Sequence, residues 1–443
     1  MGAGCSSSAP MDTASSGAAA PIGPTRRPGH VFLSYHPPDT GDQRTEGGDG
    51  AAVRVRDWLA SRGYIQQRPS TSSSAAPGVL VVGKPYVTLR NGTIKLRRNQ
   101  RVRVTAPGVV LDGVSFLMDQ PGGPGGGGSH RQLGGGGGGA GGAEAGFGGA
   151  YVTDRGMVEL TGAAVGLRIM RTKLYNHAPH AALHLVDGAT AALLDCDLES
   201  PLGAGAVVSG AGSVFIASGC CLKRCAGPCL LLEGGAAAQL SASSVLDSER
   251  HNGVAAGGGA RLRADRCVVS GSQAGINLYA GASAELVGCE VSGNVLAGAE
   301  VREPGSVLLA ADTKFARNGQ VALSYNGQAG VLVTERATAR LATCSADGNK
   351  LSGIVVWGAG TAAAAVDCKL LQNAGAGLAL RDGAAAELRR CTVKLNRAGG
   401  AEVAGKGSVL TTDRESVVDP KPTLVAGGVH AFLQEDKGRK GRG

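Results

Sequence analysis

Aromatic residues are scarce, with two Trp, seven Tyr and six Phe in 443 residues. A core built of large rings is therefore excluded, and Ala, Val, Leu and Cys must fill the interior. Charge is scarce as well, at 18%, below the usual quarter for a soluble chain. That argues against a wholly disordered polyelectrolyte and against a long coiled coil. No run of about 18 or more apolar residues occurs, so no membrane-spanning helix is expected. Residues 1–28 contain no apolar signal region, so a cytosolic, reducing setting is expected. Of the eleven cysteines, the ten from Cys196 to Cys391 then read as free buried thiols. Glycine is abundant, at 74 residues, but lacks the strict third-residue period of collagen.

Composition shifts divide the chain. Residues 1–28 are rich in Ser, Ala, Gly and Pro and read as a disordered N-terminus. Residues 29–66 read as a strand from His30 to Tyr35, a loop, and a helix from Ala51 to about Arg62. Val55, Trp58 and Leu59 give that helix its apolar face, and Gly63 suits its C-terminal end. Residues 67–77 form a Ser/Pro linker. Residues 121–149 are a glycine-dominated insertion, and residues 418–443 read as a C-terminal cap, with the apolar stretch around Val425, Val429 and Phe432 covering the last coil, and a tail ending in the basic cluster Lys437, Arg439, Lys440 and Arg442.

From residue 78 to 417 the chain repeats itself. Cys196, Cys220, Cys267, Cys289, Cys344, Cys368 and Cys391 occupy one slot, with Thr172, Ser243, Thr313 and Glu415 filling it elsewhere. The steps are 22 to 24 residues, except one of 31 that marks an insertion near 319–328. Eight residues before the slot stands a glycine, as at Gly281, Gly305, Gly360 and Gly383, with Arg336 as the exception. Five residues after it stand Asn294, Asn318, Asn349, Asn373 and Asn396. Between these marks the apolar pattern alternates with period two, as in Leu262 with Ala264 and Ala386 with Leu388. Three short strands per turn of about 23 residues describe a coil that buries its apolar face only against its neighbours. Eleven or twelve coils fit in residues 78–417. Like residues then stack at roughly 4.8 Å, so amides pair along the axis and thiols fill a narrow interior.

The run Asn349-Lys350-Leu351-Ser352-Gly353-Ile354-Val355-Val356 resembles the right-handed parallel β-helix repeat family. That family includes pectate lyases, polygalacturonases, and repeat domains of F-box-only ubiquitin-ligase receptors and SHC-binding proteins. The resemblance implies an all-β, single-stranded right-handed parallel β-helix. It is specific for fold and unspecific for function. The polygalacturonase motifs Asn-Thr-Asp, Asp-Asp, Gly-His-Gly and Arg-Ile-Lys are missing. A second, short resemblance lies in Val31-Phe32-Leu33-Ser34-Tyr35-His36, Asp39-Thr40 and Val55-Arg56-Asp57-Trp58-Leu59, which are similar to the opening of a TIR domain. The rest of such a domain does not follow, and no catalytic residue carries over.

Several clusters invite chemistry. Asp195 and Asp197 are the closest acidic pair, at a spacing that suits a solvated strand face. His177, His180 and His184 have zinc-like spacing, but the repeat places them around a corner, and no metal or other cofactor is expected. Cys220, Cys221, Cys225 and Cys229 look like a metal set, yet three of them fall on repeat positions and read as structural. Lys95, Arg97, Arg98, Arg101 and Arg103 form a basic stretch suited to anionic lipid, polysaccharide or acidic protein. Without interleaved aromatics it is a poor nucleic-acid platform. Met1-Gly2-Ala3-Gly4-Cys5-Ser6 fits N-myristoylation at Gly2 with palmitoylation at Cys5, a two-chain membrane anchor. The same acid-poor, Ser/Ala-rich stretch also fits a chloroplast-type transit peptide.

The leading expectation is a non-catalytic scaffold that binds a protein or glycan partner, tethered to a cytoplasmic membrane surface. A carbohydrate-active lyase or hydrolase is the alternative, and a TIR-type signalling adaptor is a third reading.

Overall fold

A computed structural model describes residues 30–32, 65–67, 79–96, 100–118, 152–163, 165–248, 250–319 and 329–432. All regular structure among them is β, wound into about thirteen turns. Between Thr190 and Ala404 each turn contributes a five-residue strand, a three-residue strand and a third strand of three or four residues. Asp195 and Cys196 mark the corner between the first two of one turn, Thr190–Leu194 and Asp197–Glu199. The first two strand types build a 26-stranded sheet, and the third builds a 15-stranded sheet. Pairing between successive turns is parallel throughout the repeats, as in Phe215↔Ala238↔Leu262. Among the described residues the one antiparallel pair is at the N-terminal edge, Ile65–Gln67 against Val79–Val82.

The expected strand from His30 is present as His30–Phe32, paired in parallel with Thr88–Arg90 of an early turn. The helix expected over 51–62, the insertion 121–149 and most of the TIR-like stretch lie outside the described residues. Thr423–Val425 and Val429–Phe432, expected to cover the C-terminal face, continue the two sheets as a final turn. Counting that turn and the early ones raises the number above the eleven or twelve read from the repeat.

The interior shows why the sequence alternates as it does. Along the five-residue strands one inward column reads Ala191, Phe215, Ala238, Leu262, Ala284, Leu308 and Ala339. The column beside it reads Leu193, Ala217, Leu240, Ala264, Leu286, Ala310 and Leu341. Each of these seven turns thus holds one large and one small residue, and their order inverts at each step; the turns on either side, with Leu167 and Ile169 and with Ala363 and Ala365, do not follow it. In these two columns a large side chain shares each level with a small one, whereas the three-residue strands stack Leu174, Leu198 and Leu222 directly at the same spacing of roughly 4.8 Å. The checkerboard lets each large side chain spread over the alanine of the next turn. All of these residues are buried.

The asparagine slot is a continuous internal ladder. Asn294, Asn318, Asn349 and Asn373 each donate through Nδ2 to the Oδ1 of the next asparagine, at 3.0, 3.1, 2.9 and 2.9 Å. The same oxygens accept the preceding asparagine's backbone N–H, as from Asn318 to Asn349 at 3.0 Å. Ten cysteines are described, all free and buried. The hydrogen bond with Cys344, together with burial, pushes the Cys368 thiol up to about 12, while the hydrogen bond with Cys267 lowers Cys289 to about 7. The last member of the slot differs from the expectation. Glu415 is exposed, and Ser416 accepts the Cys391 N–H at 3.1 Å instead. Asp413, which accepts from both Ser416 N–H and its hydroxyl, holds this one-residue shift.

Corners require left-handed backbone. Gly281, Gly305 and Gly383 have φ of 76, 82 and 84°, and Arg336, the exception in that slot, has φ of 66°. The residue before each cysteine is also left-handed, from Asp195 to Arg390, whatever its type. A single strained residue per corner costs on the order of 1 kcal/mol, which the paired strands on both sides hold in place.

Candidate glycan-binding face

The third strand of each turn alternates inward and outward. Ile276 and Leu278 point into the core, and Asn277 between them points out. The same holds for Glu300 between Ala299 and Val301. Parallel register aligns these outward residues into a row along the 15-stranded sheet, and the row has three zones.

The first zone is charged. Arg101 Nη1 donates to Glu159 Oε1 at 2.9 Å, and Arg103 Nη2 donates to Glu159 Oε2 at 3.1 Å. His184 is the strand partner of Glu159, with His180 on the same strand. Burial lowers both imidazoles below their ordinary range, against the opposing pull of Glu159. The basic stretch expected as one patch is therefore divided by a corner. Arg101 and Arg103 share one buried carboxylate here. Lys95 is the exposed penultimate residue of a strand of the other sheet, Thr88–Leu96, and Arg97 and Arg98 lie outside the described residues.

The second zone is apolar. Ala181, Ala204, Val207, Leu231 and Ala255 make a buried layer on the outside of the sheet, and Tyr279 packs against it. The Tyr279 ring lies so close to Gly257 that a Cβ there would be 2.2 Å from it. Only glycine permits that approach.

The third zone is polar and aromatic. Asn277 pairs with Glu300 on the next strand, and Tyr279 and Arg302 directly follow the ends of these two strands. The Arg302 guanidinium stands 5.4 Å from the Tyr279 ring centroid, a cation–π contact. Asn277 is only 7% exposed, and its Oδ1 has no hydrogen-bond partner. The Arg302 Nε is likewise buried and unbonded. Burial raises the Glu300 carboxyl above its ordinary range; Arg302 pulls it down and Glu335 pushes it up. Beyond them Thr334 pairs with Trp357, whose indole N–H donates to Asp382 Oδ2 at 2.6 Å. A concavity of about 580 Å³ opens here, lined by Pro304, Thr334, Glu335, Arg336 and Trp357. Tyr279 and Trp357 are three turns apart, roughly 14 Å at the inter-strand spacing. The 26-stranded sheet has a smaller concavity of about 340 Å³ around Leu309, Ala311 and Ala364, with Glu285 and Arg340 at its edge and no aromatic residue.

Residues 204–364 and 252–417 match the family described as the right handed beta helix region. This part of the chain is a right-handed β-helix. No curated protein matches the chain. Among solved structures, it is similar to the periplasmic alginate epimerase AlgG, at 12% identity and a TM-score of 0.41, over 88% of this chain and 89% of that one. It is also similar to pectate lyase Pel9A, at 10% identity and a TM-score of 0.36, over 76% of this chain and 72% of that one. The Dettilon tailspike protein gives 12% identity and a TM-score of 0.39, over 91% of this chain and 68% of that one.

The remaining residues singled out from the sequence distribute over the β-helix as follows. The asparagine and cysteine ladders are internal. Asp195 occupies a corner and Asp197 a strand of the 26-stranded sheet, away from the third-strand face. His177 stacks edge-on with Tyr175, and its Nδ1 is buried without a partner. No three His, Cys, Asp or Glu side chains converge as a metal set among the described residues. Gly2 and Cys5 lie outside the described residues. Asn277, Tyr279, Glu300, Arg302 and Trp357 escaped the sequence reading. The available signal was that Tyr279 and Trp357 each directly follow the last inward residue of a third strand, Leu278 and Val356.

Proposed function

We propose that this β-helix binds an extended glycan along the outer face of its 15-stranded sheet. The observation that carries the reading is the outward row from Tyr279 through Arg302 and Thr334 to Trp357. Two of a small number of aromatic residues stand on this row, with hydrogen-bonding groups between them. Flat rings stack on the C–H faces of sugars, while Arg302, Asn277, Glu300 and Thr334 match hydroxyls. A solenoid offers such a row over many turns without a deep pocket. Calorimetric titration of the full chain with an oligosaccharide panel tests this. Trp357→Ala is expected to weaken binding at least tenfold while leaving Tm within a few degrees, since the ring is half-buried on the surface. Binding unaffected by Trp357→Ala removes this face as the site.

A second reading, cleavage of the bound glycan, is favoured by Glu300 and Glu335. Acid chemistry on sugars needs one carboxyl kept protonated beside another, and the raised Glu300 next to Glu335 supplies that asymmetry. Release of reducing ends that disappears in Glu300→Gln supports it. Binding without any product release leaves the protein a non-catalytic scaffold.

A further inference from the structure

Resting on the glycan reading, we infer that Arg336 is a ligand-binding residue of this face, its guanidinium gripping two neighbouring oxygens of the sugar seated on Trp357. From Gly188 to Gly407 every other turn holds glycine in the slot of Arg336, with φ between 75 and 84°. Glu335 and Arg336 are both left-handed, at 54 and 66°, in a tight turn closed by Ala337 N–H to Thr334 O at 3.1 Å. The same turn is built as Ala280-Gly281 and Asp382-Gly383 elsewhere. Glycine enters such a turn without strain, and arginine does not. The corner before each cysteine accepts many residue types, so left-handed backbone by itself marks nothing. A lone arginine in a slot otherwise given to glycine does.

The backbone gains nothing from the arginine that glycine does not supply. Arg336 N–H donates to Thr361 Oγ1 at 2.9 Å, and Gly281 and Gly383 N–H donate in the same way to Ser306 and Ser408 Oγ at 3.1 and 3.0 Å. The side chain is exposed and its stem lies over Gly360 of the next turn. Its guanidinium has no hydrogen bond or ion pair among the described residues. It shares the concavity of about 580 Å³ with Pro304 and Trp357. Asp382 takes the indole N–H of Trp357, which holds the ring and leaves its face for a sugar. A guanidinium presents parallel N–H donors. These match two oxygens side by side, either adjacent hydroxyls of a neutral ring or the carboxylate of a uronate ring. Strain kept at a position that a ligand can reach is a mark of binding sites.

Calorimetric titration of the full chain tests this with short oligosaccharides in two sets. One set is neutral (gluco-, manno- and xylo-oligomers), and the other is acidic (oligogalacturonate and oligomannuronate). Arg336→Gly removes the donors and the strain together, and Arg336→Met keeps the stem and removes only the donors. Each is expected to weaken binding about tenfold or more, as for the loss of charge-assisted hydrogen bonds. A neutral ligand that responds assigns the hydroxyl pair, and an acidic one assigns the carboxylate. Tm of Arg336→Gly should match or exceed that of the parent, because glycine suits the left-handed turn. An arginine kept for structure would lower it, and that result overturns the inference. Arg340→Ala, on the other sheet, removes the same charge and should leave binding unchanged; an equal loss there overturns the inference too. Binding that is lost in Trp357→Ala but unchanged in both Arg336 variants overturns the inference and leaves the glycan reading standing. Absence of binding to either set overturns both.

Discussion

Asn349→Leu tests the internal ladder at its middle. Asn349 Oδ1 accepts from Asn318 N–H at 3.0 Å and Asn318 Nδ2–H at 3.1 Å. Its Nδ2 donates to Phe315 O at 3.1 Å and Asn373 Oδ1 at 2.9 Å. Leucine has a similar volume and makes none of these bonds. Asn373 Oδ1 keeps the backbone N–H of residue 349, so it stays satisfied. Asn318 loses partners for two buried N–H groups. At about 1–3 kcal/mol for each stripped donor, the expected loss is about 2–6 kcal/mol. Asn294→Leu, at the start of the ladder, strips only the Ser272 N–H, and about 1–3 kcal/mol is expected by the same rule. Repeat proteins open in local units, so hydrogen exchange by mass spectrometry is the suitable assay. In peptides covering residues 314–319 and 345–357, Asn349→Leu should speed exchange by about 30-fold or more, since 1.4 kcal/mol is a factor of ten. Unchanged protection, or an equal loss in Asn294→Leu, would refute the reasoning that stacked amides carry the ladder's stability.

Other outcomes are expected. The composition-neutral double substitution Leu262→Ala with Ala264→Leu inverts the checkerboard in one turn, placing residue 264 between Leu240 and Leu286. It should cost about 1–3 kcal/mol of overpacking beyond the cost of Leu262→Ala alone, and a denaturation midpoint no lower than that of Leu262→Ala refutes the alternation argument. Glu300 has a raised carboxyl pKa in the folded chain, so the folded state holds a proton that the unfolded state releases. Stability then falls as pH rises from the ordinary carboxyl range through the folded pKa and stays lower above it. Glu300→Gln should flatten that part of the Tm profile and match or exceed the parent at neutral pH; a parallel profile counts against it. We also propose acylation at Gly2 and Cys5 as a membrane tether, and Gly2→Ala should move the protein from the membrane to the soluble fraction. Unchanged fractionation counts against the anchor.

The β-helix was legible in the sequence because each turn must fit directly onto the next. Stacking at one strand spacing makes Asn294 to Asn396 repeat, places thiols above thiols, and sets glycine or its left-handed substitute at every bend. A period fixed by such contacts appears in the chain as a period in the letters. Even so, Ser416 took the place read for Glu415, because a local turn around Asp413 shifted the register by one residue. The outer face carries no such constraint. Asn277, Tyr279, Glu300, Arg302 and Trp357 come from separate turns, and nothing in the stacking requires them to repeat. Only the winding of the chain aligned them. It also parted Lys95 from Arg101 and Arg103, which looked like one patch in the sequence, by turning the backbone from one sheet to the other. The sequence by itself determined the coil and its internal ladders through contacts between successive turns. The tertiary structure decided which exposed side chains share a surface, because that depends on register summed over several turns.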